Sequence, residues 1–155
     1  NLDAKLWTIP ASRMKKKRQH IVPLSSQMIE ILDGMRVISR RSAFIFPSEV
    51  KALESMNSQT ANMALKRMGY EGQLVSHGMR SLASTILNEH GFAPDIIESA
   101  LAHTDKNDVR AAYNRAEYIE RRRSMMDWWS KRVSQSSTEG QIVGALSITE
   151  HGASQ

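Results

Sequence analysis

The chain contains no cysteine among its 155 residues, so neither a disulfide framework nor a thiolate metal site can be built from it. That absence fits a reducing, cytoplasmic compartment. No apolar run approaches the roughly 18–20 residues that a membrane-spanning helix requires, and no membrane partner is expected. The first residues, Asn1-Leu2-Asp3-Ala4-Lys5, lack the basic-then-apolar pattern of a secretory leader. Internal repeats and long low-complexity tracts are missing as well. His77 and His103 have no partner ligands at zinc-like spacing, so no metal and no other cofactor is expected.

What the chain does have is positive charge. Lys and Arg number 21 against 16 Asp and Glu, a net of +5, which favours polyanionic partners without specifying one. A chain of this length can form one domain with a sizeable core.

Leu6-Trp7-Thr8-Ile9-Pro10 and His20-Ile21-Val22-Pro23-Leu24 read as two short strands, each ending at or near a proline, as edge strands do. Between them lies Arg13-Met14-Lys15-Lys16-Lys17-Arg18, so a hairpin with a cationic connection is expected. Ser25 is the expected N-cap of a helix with Leu24, Met28, Ile31, Leu32 and Met35 at helical spacing. Phe44-Ile45-Phe46-Pro47-Ser48 reads as a buried connection, and 58–68 as a helix with Ala61, Ala64, Leu65 and Met68 on its apolar side.

A helix from His77 to His90, closed by Gly91, is the best defined. Met79, Leu82, Ala83 and Ile86 are expected to face inward, with His77 and Arg80 on a flank roughly 140° away, reaching a surface cleft. Pro94 opens a short helix bearing Ile96, Ile97, Ala100 and Leu101. His103 to Asn107 is turn-like, and Asp108 caps a helix through Tyr113. A last helix over 117–133 carries Tyr118, Met125, Met126, Trp129 and Val133 as one stripe. From Ser134 the composition turns polar, with Gln141 to Ile148 apolar enough to dock.

Two histidines, an arginine and a tyrosine stand at His77-Gly78-Met79-Arg80, His103 and, ten residues later, Tyr113. Cleaving a phosphodiester without a metal needs cationic donors for the nonbridging oxygens, a proton for the departing 5′ oxygen and an in-line nucleophile. Arg80 can grip phosphate with a guanidinium fork, a hairpin lysine can supply the proton, and Tyr113 can attack.

In this order and spacing the chain resembles the tyrosine recombinases, the phage integrase family. The stretches that carry the resemblance are Arg13-Met14-Lys15 leading to His20-Ile21-Val22-Pro23-Leu24-Ser25, then His77-Gly78-Met79-Arg80, Leu101-Ala102-His103 and Tyr113. Val109 to Arg115, and Glu120-Arg121-Arg122-Arg123 through Trp128-Trp129, look closest to integrases of satellite phages and genomic islands. The resemblance spans Leu6 to Val133 and implies a mainly α fold with a small antiparallel β-hairpin (α+β), the recombinase catalytic-domain fold, N-terminally truncated. On that expectation 1–133 is the C-terminal part of the catalytic domain, and 134–155 is a polar tail docking in cis or in trans.

The resemblance also implies roles. Tyr113 matches the nucleophile that forms a 3′-phosphotyrosyl link, Arg80 the second catalytic arginine, and Lys15 the hairpin lysine that protonates the leaving 5′ oxygen. His77 matches the histidine that assists proton transfer, and His103 the residue that hydrogen-bonds the phosphate. Arg13, Lys16, Lys17 and Arg18 are expected to contact phosphates more generally. The implied partners are double-stranded attachment-site DNA and further integrase protomers, in the integration or excision of a mobile element. The chain departs from the pattern at Ala102, where glycine is commoner, and in lacking a match to the family's first catalytic arginine. A missing donor of that kind costs about 10²–10³ in rate, so the fragment alone is expected to be weak or inactive. The alternatives are nicking and closing in the manner of a type IB topoisomerase, or a DNA-binding or regulatory module without catalysis.

Other residues have plainer expected roles. Trp128 and Trp129 are core anchors, Tyr118 packs beside them, Arg121 to Arg123 form an exposed helix face, and His90 meets its own helix end. His20 and His151 have no functional context in sequence.

Overall fold

The computed structural model describes residues 1–40, 42–51, 53–103 and 115–152, with side chains in the last stretch described over 118–138. Two strands, β1 (Leu6–Ile9) and β2 (His20–Pro23), form an antiparallel hairpin in which Leu6 faces Pro23 and Ile9 faces His20. In this two-stranded sheet, as far as the described residues go, each strand has a free edge. Pro23, which has no N–H to give a ladder, is tolerated for that reason. The connection is not a floppy loop. A 3₁₀ turn, Ala11–Arg13, is followed by a second turn in which Lys17 N–H donates to the Met14 carbonyl.

Helix α1 (Ser26–Ser39) starts where its cap residue predicts: Ser25 Oγ accepts from the Met28 N–H at 3.3 Å. Ser25 is also buried and shares a 2.7 Å hydrogen bond with Ser130 Oγ, so the cap doubles as a tie to the last helix. Met28, Leu32 and Met35 are half-buried, while Ile31 stays 61% exposed.

The stretch from Phe44 to Ser48 is not a buried connection. Ile45 and Phe46 are about half exposed, and the segment closes on itself through a Pro47–Ser55 bridge, with Met56 N–H donating to the Phe46 carbonyl. The helix expected over 58–68 is shorter: α2 (Thr60–Leu65) passes into a π turn, Lys66–Tyr70, broken at Gly69 with φ of 89°. Ala61, Ala64 and Met68 are exposed. Leu65 and the polar Asn62 are half-buried.

Helix α3 (Gly78–Glu89) has the expected limits, with Gly91 beyond its end at φ of 85°. Helix α4 (Pro94–Ala100) carries its proline in the first turn. Helix α5 (Arg115–Gly152) begins slightly before the expected 117 and runs past 133 without a break. The core lies where these three meet. Leu87, Ile96, Ile97 and Met125 are buried, with Phe92, Tyr118, Met126, Trp128 and Trp129 packed around them. Trp128 also stacks on His90, with ring centroids 4.1 Å apart, so His90 contributes a ring face as well as a helix end.

Two faces differ from expectation. Met79 and Leu82 on α3 are 42% and 49% exposed, whereas Ala83 and Ile86 are half-buried as expected; Arg80 and Ser84 are half-buried with them, and Leu87 is buried. On α5, Val133 is about half exposed, but Arg122 joins the buried stripe. No helix among the described residues is long and apolar enough to cross a membrane. The turn expected over 104–107, the Asp108 cap, Tyr113 and the side chains of Ile142 to Ile148 lie outside the described residues.

Candidate functional site

The site is organised by the C-terminal end of α4. Its last carbonyls have no partners within the helix, and the helix dipole makes this end attractive to cations. Three cationic or ionisable side chains from three parts of the chain meet it. Arg80 Nη2, from the first turn of α3, donates to the Leu101 carbonyl. The His20 ring, from the start of β2, hydrogen-bonds the Ala100 carbonyl. His103, just beyond the helix, pairs through Nδ1 with the Glu98 carboxylate.

Each is held by local structure. The entry to α3 is fixed because Asn62 Oδ1 accepts from both the N–H and the hydroxyl of Ser76, at 2.8 and 2.7 Å. His77 follows as the exposed residue preceding the helix, and its carbonyl accepts from the Arg80 N–H at 3.1 Å. At the other side, His103 N–H donates to the Glu98 carbonyl at 2.9 Å, closing the end of α4. That closure requires Ala102 to take φ of 54°, the left-handed region. Glycine reaches this region without steric penalty, whereas alanine does not.

Sequence reasoning overlooked two members of this neighbourhood. His20 lies close enough to Arg122 and Arg80 for both charges to act on it. Burial lowers its pKa most, the Arg122 charge next, and the hydrogen bond to Ala100 opposes them in part. It is therefore a neutral imidazole at pH 7. Arg122, expected on an exposed face with Arg121 and Arg123, is only 5% exposed. Its Nη2 donates to the Ile21 carbonyl at 2.6 Å, its Nε has no partner among the described residues, and burial lowers its pKa. A signal was present: Arg122 stands four residues after Tyr118 and three before Met125, on the apolar stripe itself.

The predicted site residues therefore divide into groups. Arg80 and His103 are brought to one helix end, and His77 lies within a turn of Arg80. Lys15 is exposed on the hairpin connection together with Arg13, Lys16, Lys17 and Arg18. No hydrogen bond or ion pair among the described residues joins Lys15 to Arg80 or His103. Tyr113 falls between His103 and the start of α5, outside the described residues. Among the described residues no three histidine, aspartate or glutamate side chains gather as a bound metal would need.

The profile of the phage integrase family matches residues 1–120. The prophage integrase IntA of Escherichia coli (strain K12) is 56% identical over 143 residues, covering 92% of this chain and 34% of its own length. The integrase of Enterobacteria phage P4 is 38% identical over 146 residues, covering 84% of this chain and 33% of its own length. The integrase of Shigella phage Sf6 is 38% identical over 131 residues, with 84% and 34% covered. The chain thus spans about a third of the length of these curated relatives. No solved structure matches it.

Proposed function

We propose, since this chain belongs to the phage integrase family, that it serves site-specific DNA recombination, the integration or excision of a mobile element. Tyr113 attacks the scissile phosphorus, forming a P–Oη bond as the P–O5′ bond breaks. The electron pair stays on O5′, which takes a proton from Lys15. Arg80 and His103 donate to the nonbridging oxygens, where negative charge grows as phosphorus becomes five-coordinate. His77 assists proton transfer by taking the phenolic proton that Tyr113 loses as its Oη bonds to phosphorus. The 5′-hydroxyl of a partner strand then displaces the tyrosine, and the phosphotyrosyl ester conserves the bond energy throughout.

The observation that carries this reading is the meeting of Arg80 and His103 at one end of α4. The residues are far apart in sequence, and the segment holding Tyr113 follows that helix end directly. A stable phosphate grip needs cationic donors from separate elements aimed at one point, and a helix end with two such donors supplies the start of one. The five exposed cations of the hairpin connection support a DNA-facing surface. The proposed partners are attachment-site DNA and further protomers bound along it.

The test is covalent trapping. The full-length protein, given a duplex nicked so that the short fragment bearing the freed 5′-hydroxyl diffuses away, is expected to accumulate a protein–DNA adduct. The Tyr113→Phe variant is expected to form none. An adduct of unchanged yield in that variant removes Tyr113 from the mechanism and the reading with it.

A further inference from the structure

Arg122 is the group that the proposed chemistry does not use. It is nine-tenths buried, so DNA cannot reach it, and no carboxylate pairs with it among the described residues. Its Nε is left without a partner among those residues. As a device for holding two elements together this is costly. An apolar side chain of similar length would pack in the same place without a desolvated charge, and such exchanges are often neutral or stabilising. What an apolar chain cannot do is fix the Ile21 carbonyl, which Nη2 holds at 2.6 Å.

That carbonyl belongs to the second residue of β2, where the chain re-enters the hairpin after its cationic connection. The neighbouring His20 is held from another side by Ala100. The same stretch of α5 secures the hairpin's flanks, through Arg123 Nη1 to the Lys5 carbonyl and Ser130 to Ser25. α5 starts two residues after Tyr113, and Lys15 stands five residues before His20. One helix therefore leaves the nucleophile and grips the strand on which the acid-bearing connection lands.

We propose that Arg122 is a positioning residue for leaving-group protonation: by holding the Ile21 carbonyl it sets the placement of the Lys15 segment relative to the helix that follows Tyr113. This rests on the recombinase reading given above. A misplacement of about 1 Å at a reacting group costs on the order of 10² in rate, and general acid catalysis itself contributes about 10²–10⁴.

The experiment separates positioning of the acid from general support of the fold. A substrate with sulfur in place of the bridging 5′ oxygen expels a thiolate, which leaves without needing a proton. Single-turnover cleavage by the full-length protein is compared on the oxygen and sulfur substrates. Arg122→Met is expected to lose about 10²-fold or more on oxygen and to recover to within about tenfold of the parent on sulfur. Lys15→Ala is expected to behave alike, while Arg80→Ala stays impaired on both. Arg122→Lys, which retains the charge and N–H donors but not the planar fork, covers the case in which the methionine variant does not fold. It is expected to show a smaller loss on oxygen, again recovered on sulfur. If Lys15→Ala is rescued by sulfur and the Arg122 variants are not, the inference is overturned while the acid assignment stands. If Lys15→Ala itself is not rescued, the acid assignment fails and takes this inference with it. Full activity of both Arg122 variants on the oxygen substrate also overturns it.

Discussion

Arg80 donates from Nη2 to the main-chain carbonyl of Leu101, joining the first turn of α3 to the end of α4. The bond occupies one edge of a guanidinium that has five N–H donors, so the rest of the fork remains for an incoming phosphate. A lysine has a single ammonium on a flexible stem and cannot both hold the carbonyl and present a planar pair of donors. Arg80→Lys is therefore expected to lower single-turnover cleavage by about 10²–10³ while DNA affinity changes only a few-fold. Cleavage at the parental rate in that variant would take Arg80 out of the reaction.

The hairpin connection makes a different kind of prediction. Its cations are exposed on a segment pinned by two turns, so they are presented together. Each that neutralises a DNA phosphate releases condensed counterions, and the logarithm of affinity falls with the logarithm of salt by about 0.9 for each contact. Replacing Lys16 and Lys17 by alanine is expected to reduce the magnitude of that slope by about 2, equally on specific and unrelated duplexes. A slope identical to that of the parent would mean that neither lysine meets the backbone.

Much of this arrangement was legible because its signals are local. The hairpin follows from β-branched residues bounded by prolines, the start of α1 from Ser25, and the ends of α3 and α4 from Gly91 and Pro94. What was not legible depends on partners. Counting apolar positions on α3 selects Met79 and Leu82 along with Ala83 and Ile86, but Leu87 joins the core with α4 and α5, and Arg80, seven residues earlier on the same face, is half-buried. Arg122 was misjudged because three consecutive arginines read as a solvated face. Only the Ile21 carbonyl, a hundred residues away in sequence, explains why the middle one is buried. Ile45 and Phe46 were expected inside because they are apolar, yet their loop closes through its own backbone and needs no cover.

His20 ties stability to pH in a definite direction. Its pKa in the folded protein lies below the ordinary value of 6.5, chiefly through burial and secondarily through the Arg122 charge. The unfolded chain therefore binds the proton first as pH falls. The stabilisation is complete above about pH 6.5 and is lost progressively as pH drops below that toward the lower folded-state value. Urea midpoints are expected to fall between about pH 7 and pH 5, and His20→Gln, which keeps a donor for Ala100 but cannot titrate, is expected to flatten that decline. An equal decline in both proteins would assign it to other groups.

Ala102 closes the end of α4 at φ of 54°. The left-handed region costs a residue with a Cβ about 1–2 kcal/mol, while glycine loses roughly 0.5–1 kcal/mol more backbone entropy on folding. The difference favours Ala102→Gly by up to about 1.5 kcal/mol, seen as a rise of up to about 3–6 °C in Tm for a chain of this size. The same change relaxes the turn that places His103 beside Glu98 and leads toward Tyr113. Stability should therefore rise without loss of adduct formation in the full-length protein, since glycine keeps the conformation and only removes its strain. A lower Tm would show that the turn draws more from the alanine methyl, packed at a half-buried position, than it loses to left-handed geometry.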